Sequence, residues 1–97
     1  METNIKAVHF DIAEKLVDFI NKKIEKIERR NEAVAKADIV LTLVKPETAK
    51  NKEAAVKLTV PGHGELFASK IADTFEEAFD TALDALKPQL EKIKEKK

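Results

Sequence analysis

The sequence predicts an α/β fold of the α+β type, a two-layer sandwich with two helices packed on one face of a mainly antiparallel four-stranded sheet. Two long segments carry apolar residues at helical spacing, and four shorter segments have the apolar content and alternation of strands. The links between the last three strands are short, which favours antiparallel neighbours. The predicted order along the chain is β-α-β-β-β-α.

The N-terminal part of the chain is predicted to form a strand and then a long helix. Residues 3–9 have the composition of a short strand. Asp11 suits the N-cap of the helix, and Glu14 lies three residues on, as in a capping box. Apolar residues recur at spacings of three and four from Ile12 to about Arg30. This pattern predicts an amphipathic helix of about five turns.

The middle of the chain is predicted to form three strands. Residues 38–45 and 53–60 alternate as strands do and are joined by a polar connection at 46–52. The sequence PGHG at 61–64 is typical of a turn, and residues 65–69 are predicted to form a short strand that closes a hairpin. These three strands complete the sheet.

A second helix is predicted near the C-terminus. Asp73 is predicted to cap it with Glu76 at the third helical position, and an apolar stripe at helical spacing follows. Pro88 lies inside the pattern, removes one backbone donor and is expected to kink or split the helix near Lys87. The charged tail, about residues 91–97, is expected to fray.

The composition indicates a single domain over residues 1–97 and argues against an enzyme. The chain has no cysteine, and its two histidines, His9 and His63, have no ligand-spaced partners. Its two glycines lie in one turn, and Ser69, its one serine, has no nucleophile-elbow context. We expect no catalytic residue, metal, cofactor or small-molecule substrate. No segment resembles a leader or a membrane span, so we expect no membrane partner and a cytoplasmic location.

Charge is segregated although the chain is neutral overall, with 18 basic and 18 acidic residues. Projected at about 100° per residue, the first helix carries its bases on one flank of the apolar stripe and its acids on the other. The bases are Lys15, Lys22, Lys23, Lys26, Arg29 and Arg30, and the acids are Glu14, Asp18, Glu25 and Glu28. A basic strip of this kind suits a run of phosphates, although a charged flank can also be a solvated surface.

The second helix separates its charges along its axis. The stretch from Asp73 to Leu86 has five acids and no base, whereas the stretch from Lys87 to Lys97 has five lysines and two acids. The macrodipole accounts for charges at the two helix ends but not for the basic flank of the first helix. We expect the basic end to extend the basic strip. The acidic half could repel phosphate or contact a basic protein.

Aromatic residues offer little for base recognition. All five are phenylalanines, and four of them are predicted to lie in the core. Phe67 is predicted to lie on the outer sheet face, where it could stack on a base. We therefore expect recognition of nucleic acid by shape and phosphate and not by sequence.

Two segments carry a likeness to a known family. Residues 22–30, KKIEKIERR, resemble the pattern K-x-x-K-L-x-R of the ribosome hibernation promoting factors, also called ribosome-associated inhibitor A or sigma-54 modulation proteins. Residues 72–94 are similar to that family's D-x-Y-x-A-I-D-x-A-x-x-x-L-x-x-Q-L pattern. The matching positions there are Asp73, Phe75, Ala78, Asp80, Ala82, Leu86, Gln89 and Leu90. The element order is also that of the family.

The resemblance implies a factor that binds the small ribosomal subunit in stationary phase or stress and occupies the channel of mRNA and tRNA. It implies contacts with 16S ribosomal RNA through Lys23, Lys26, Arg29, Lys92 and Lys94. The charge pattern adds Lys22, Arg30 and Lys87. Phe75 stands where the family usually has tyrosine, so a hydroxyl contact is lost there. The chain resembles the short form, and either ribosome dimerisation or silencing of single ribosomes fits it. A protein-interaction module that uses the acidic face of the second helix is the alternative.

Overall fold

The structure, a computed structural model, describes residues 2–44 and 50–95, without the side chains of residues 94 and 95. Its order is the predicted β-α-β-β-β-α. The elements are β1 (Glu2–Val8), α1 (Glu14–Arg30), β2 (Lys36–Leu43), β3 (Lys52–Val60), β4 (Gly64–Ala72) and α2 (Phe75–Glu95).

The four strands form one mixed sheet in the order β1-β2-β3-β4. β1 pairs with β2 in parallel, which requires the crossover that α1 provides. The pairs β2–β3 and β3–β4 are antiparallel. The prediction of a mainly antiparallel sheet is therefore confirmed, and β1 and β4 are its two edges.

The core lies between one sheet face and the two helices. α2 packs on β3 and β4, and α1 lies beside α2 and next to β1. The sheet contributes alternate residues, as a strand periodicity of two requires, and the helices contribute their apolar stripes. The fully buried large side chains are Ile20, Ile39, Leu41, Val56, Leu58, Val60, Phe79 and Leu86.

The start of α1 differs from the prediction. The helix begins at Glu14 with Ala13 at the N-cap, and no side chain caps it, so the prediction that Asp11 is the cap is wrong. Phe10 stacks on Phe75 with ring centroids 4.3 Å apart, and Ile12 also packs against the core. These two side chains are anchored before the helix starts, which delays its first turn.

The start of α2 also differs from the prediction, by one residue. The hydroxyl of Thr74 accepts the backbone N–H of Glu77 at 3.1 Å, so Thr74 is the N-cap and Asp73 is not. The carboxylate of Asp73 instead accepts the backbone N–H of Lys50 at 2.9 Å. This bond ties the chain that enters β3 to the start of α2.

α2 continues through Pro88 as one helix to Glu95, so the expected split near Lys87 does not occur. Proline in a helix interior costs about 3 kcal/mol. Leu86 and Leu90, on either side of it, are buried in the core and offset this cost. The helix includes residues 91–95 of the predicted charged tail, and fraying of the tail stays a prediction.

The remaining strand boundaries shift by a few residues. β2 begins at Lys36, two residues before the prediction, and β3 begins at Lys52. β4 continues to Ala72 because its last residues keep their ladder with the start of β3. Most of the predicted connection at 46–52 lies outside the described residues. The turn before β4 has Gly62 at φ 86° and Gly64 at φ 88°, a region that favours glycine.

Candidate nucleic-acid interface

The basic flank of α1 is on the surface beside α2. Leu16, Ile20, Ile24 and Ile27 turn into the core, which fixes the helix rotation. The bases of the flank are exposed except Lys23, which is half-buried. These bases are Lys15, Lys22, Lys23, Lys26, Arg29 and Arg30. The segregation expected from the helical projection is therefore present in the fold.

Lys23 is the base of α1 that the structure ties to α2. Its Nζ lies 3.3 Å from the carboxylate of Asp80 and 5.5 Å from the centroid of the Phe19 ring. Phe19 in turn meets Phe79 edge to face, with centroids 6.3 Å apart. Lys23 is thus oriented by an acid and a ring. The sequence signal for this contact was the family motif that includes Asp80, but the pairing itself was not predicted.

A groove of about 450 Å³ runs between the two helices. Four of the predicted binding residues, Lys23, Lys26, Arg30 and Lys87, line it. Its apolar lining includes Ile27, Leu83 and Leu90. Lys87, the first lysine in the basic end of α2, therefore adjoins the basic flank of α1.

Acidic residues line the same groove, which the sequence analysis did not predict. Asp80, Asp84 and Glu91 face it together with the bases. Lys87 Nζ lies 3.1 Å from the carboxylate of Asp84, three residues earlier in the helix. Asp80 and Asp84 thus share a surface with bases of the groove, whereas Glu76 and Glu77, earlier in α2, are exposed and line neither recess.

The groove continues into a second depression of about 350 Å³ at the end of α1. Arg29 and Arg30 line it with the loop after the helix and with Leu90 and Ile93. Arg30 and Leu90 belong to both recesses. Arg29 and Lys23 are therefore linked by one surface that follows the α1–α2 boundary.

The other predicted residues lie at the margins. Lys22 and Lys92 are exposed but line neither recess. The backbone of Lys94 lies in the last turn of α2, and its side chain is outside the described part. We refer to Lys22, Lys23, Lys26, Arg29, Arg30 and Lys87 as the basic strip.

Phe67 lies on the outer sheet face, as predicted, and is 59% exposed. It is on β4, on the face opposite the helices and away from the basic strip. Phe75, by contrast, is buried against Phe10, so the position where tyrosine is usual serves the core.

The described residues contain no group of three or more histidine, aspartate or glutamate side chains that could hold a metal ion. Across the same residues, no helix is both long and apolar enough to cross a membrane. The two recesses are open grooves lined by charges and aliphatic side chains. What they offer chemically is a row of cations with carboxylates beside them.

Comparison with known proteins decides the family. A model of the family described as sigma 54 modulation protein / S30EA ribosomal protein matches residues 3–97. The chain belongs to this family. Membership makes it a ribosome-associated factor of a class that is not enzymatic. The resemblance drawn from the two helical motifs is confirmed.

Individual relatives agree with the family match. The chain is 29% identical over 96 residues to a ribosome hibernation promoting factor of Pseudomonas putida, covering 99% of this chain and 89% of the relative. A ribosomal subunit interface protein from Coxiella burnetii has the same fold, with a TM-score of 0.85, 22% identity and coverage of 99% and 100%. The N-terminal domain of Thermus thermophilus Protein Y is similar, with a TM-score of 0.79, 21% identity and coverage of 96% and 99%.

Proposed function

We propose that this protein is a translation inhibitor that binds the small ribosomal subunit through 16S ribosomal RNA during stationary phase or stress. In this proposal it lies in the channel of mRNA and tRNA and excludes both. It acts in the cytoplasm and needs no cofactor. The observation that carries the proposal is the basic strip, of which five cations line the recesses along the boundary of the two packed helices: Lys23, Lys26, Arg29, Arg30 and Lys87.

Phosphate neutralisation supplies most of the binding free energy in this proposal. Each phosphate contact releases a counterion, so the affinity falls as salt rises. Each contact makes the slope of log affinity against log salt concentration more negative by about 0.7 to 0.9. Lys22, Lys26, Arg29 and Arg30 are exposed and can reach a phosphate run directly. Lys92 and Lys94, beyond Pro88, extend the contact along α2.

The acidic residues of the groove limit which RNA can bind. Asp80 and Asp84 hold Lys23 and Lys87 in ion pairs, and a phosphate that approaches them must replace a carboxylate. The exchange lowers the affinity only modestly, because an exposed ion pair contributes about 0 to 1 kcal/mol. Folded ribosomal RNA holds its phosphates at fixed positions and can meet several bases of the strip together, which favours it over a flexible single strand.

The acidic-face alternative has less support. It uses Asp80 and Asp84, and both are in ion pairs with lysines of their own chain. The basic strip has further bases that are exposed: Lys22, Lys26, Arg29 and Arg30. The acidic-face alternative predicts that neutralising these two acids abolishes ribosome binding, whereas the RNA proposal predicts tighter binding.

The decisive variant reverses charge on the strip without disturbing the fold. Lys26→Glu with Arg29→Glu is suitable because both side chains are exposed and turn away from the core. Lys23→Glu is less suitable, since the new carboxylate would lie against Asp80. The matched control, Lys6→Glu with Lys70→Glu, makes the same change in net charge at exposed positions of the two edge strands.

We expect the strip variant to lose binding to purified 30S subunits and the control to retain it. Equal binding by the strip variant would show that the strip is not the contact. A competition assay tests the channel separately. We expect bound mRNA and initiator tRNA to displace the wild-type protein from 30S subunits, and independent binding would refute the proposed location.

A further inference from the structure

The edge strand β4 carries both large hydrophobic side chains that are exposed among the described residues. Phe67 is 59% exposed and Ile71 is 51% exposed. They lie on the outer face of the sheet, on the same strand and four residues apart, with Ser69 midway between them. Neither contributes to the core, and neither belongs to the basic strip.

The backbone edge of β4 is also open within the described part of the chain. β4 forms its ladder with β3 on one side, and no other described strand lies on its far side. Proteins usually protect such an edge with charges. β1, at the opposite edge, does so with Glu2 and Lys6 exposed on its outer face. β4 also has exposed charges, at Glu65 and Lys70, but its outer face from residue 67 to residue 71 presents Phe67, Ser69 and Ile71 and no charge.

We infer that β4 pairs antiparallel with β4 of a second copy of this chain, around a two-fold axis at Ser69. Phe67 and Ile71 are equally distant from Ser69 in sequence. An antiparallel pairing centred there sets Phe67 of each copy directly opposite Ile71 of the other. Aromatic and β-branched residues form favourable cross-strand pairs. The arrangement covers both exposed side chains with each other, and the contact is self-complementary, as a two-fold interface requires.

The same register also sets how the rest of the strand pairs. Leu66 faces Ala72, and Ala68 faces Lys70. No like charges therefore lie directly opposite each other between residues 66 and 72. The next pair outward sets Glu65 opposite Asp73, a like-charge contact at each end of the interface that weakens the association. Glu65 is in an ion pair with Lys57 of its own chain at 3.4 Å, and the carboxylate of Asp73 accepts the backbone N–H of Lys50. A register centred on any other residue would not set Phe67 of one copy opposite Ile71 of the other.

The dimer joins the two four-stranded sheets into one continuous sheet. Its two-fold axis is perpendicular to the sheet, so both helical layers lie on the same side. Each basic strip stays uncovered, which makes the dimer independent of the proposed function. A contact of one strand pair is smaller than the roughly 1,600 Å² of a standard stable interface, so the association is weak and depends on concentration.

Sedimentation equilibrium of the full chain, from micromolar to millimolar concentration, tests the dimer. We expect reversible dimerisation that is lost in Phe67→Glu and in Ile71→Lys when each is measured alone. An equal mixture of these two variants should recover dimerisation. In a mixed pair, the new carboxylate faces the new ammonium at one position, and the native Phe67–Ile71 pair remains at the other. Lys6→Glu on the opposite edge is the control and should dimerise like the wild type.

A cross-link tests the register. The chain has no cysteine, so Ser69→Cys introduces the only thiol. Directly opposed residues of an antiparallel pair are within the Cα separation that a disulfide allows. We expect rapid oxidative dimerisation of this variant and not of Lys6→Cys. A chain that stays monomeric at all concentrations overturns the proposal, as does a dimer that survives Ile71→Lys or is not recovered by the mixture. Circular dichroism verifies that each variant is folded.

Discussion

Replacing Asp80 by asparagine should tighten binding to the small ribosomal subunit. In the free protein the carboxylate of Asp80 lies 3.3 Å from Lys23 Nζ and competes with any phosphate for that cation. Asparagine keeps the size of the side chain and removes its charge. Lys23 then meets RNA without first giving up an ion pair.

The size of the effect follows from the geometry of the ion pair. Two unit charges 3.3 Å apart attract by about 1 kcal/mol in a water-like dielectric. The two side chains are 37% and 45% exposed, so the screened surface value applies, and measured pairs of this type give about 0 to 1 kcal/mol. The upper end of this range corresponds to about a fivefold gain in affinity. Salt should reduce the gain.

Equilibrium binding of labelled protein to purified 30S subunits at low salt measures the gain. Glu25→Gln is the matched control, because it removes one acid from the opposite flank of α1. Lys23→Gln should abolish the effect of Asp80→Asn in the double variant, as a double-mutant cycle would show. If Asp80→Asn binds more weakly than the control, the carboxylate orients Lys23 for RNA and does not compete with it, and the reasoning is wrong.

Three further predictions concern the fold and are measured by urea or thermal unfolding. Phe79→Ala should lower the free energy of unfolding by about 3 to 5 kcal/mol, because the ring is fully buried and meets Phe19 edge to face; a loss under 1 kcal/mol would mean that this part of the core is loosely packed. Thr74→Ala should lower the free energy of unfolding by about 1 kcal/mol, because the hydrogen bond from the N–H of Glu77 to the Thr74 hydroxyl is lost. Unchanged stability would show that another residue caps α2. Gly64→Ala should cost about 1 kcal/mol from backbone strain at φ 88° alone, since an added Cβ would meet no atom within 4 Å; a much larger loss would point to a hidden clash.

The element order and the core could be predicted from the sequence because both depend on apolar periodicity. The stripe of α1 and the alternation of β3 specify which faces are buried, and Ile20 and Val56 are fully buried as that pattern requires. Periodicity is a local property with a strong hydrophobic driving force. The resemblance to the family implies the same element order independently of the periodicity.

The helix starts could not be predicted to the residue because caps compete with tertiary contacts. Asp11 and Asp73 are both good capping residues by type. In the fold, packing of Phe10 and Ile12 moves the start of α1, and Lys50 engages the carboxylate of Asp73. Neither contact is local in sequence. The continuity of α2 through Pro88 has the same origin, since buried leucines on both sides hold the helix.

The candidate site could be predicted as a set of bases but not as a groove. The projection of α1 correctly separated its basic and acidic flanks. It could not show that Asp80 meets Lys23, because the rotation of α2 relative to α1 depends on how Phe19 and Phe79 pack. The sequence therefore did not indicate that Asp80 and Asp84 share a groove with bases of α1.

Co-sedimentation with purified ribosomal subunits on sucrose gradients, at low and at high salt, tests the central claim most directly. We expect the wild-type protein to migrate with 30S subunits and 70S ribosomes but not with 50S subunits. We also expect raised salt and the Lys26→Glu, Arg29→Glu variant each to release the protein. Association that is indifferent to salt and to this variant, or no association at any salt, would contradict the claim that the basic strip binds ribosomal RNA.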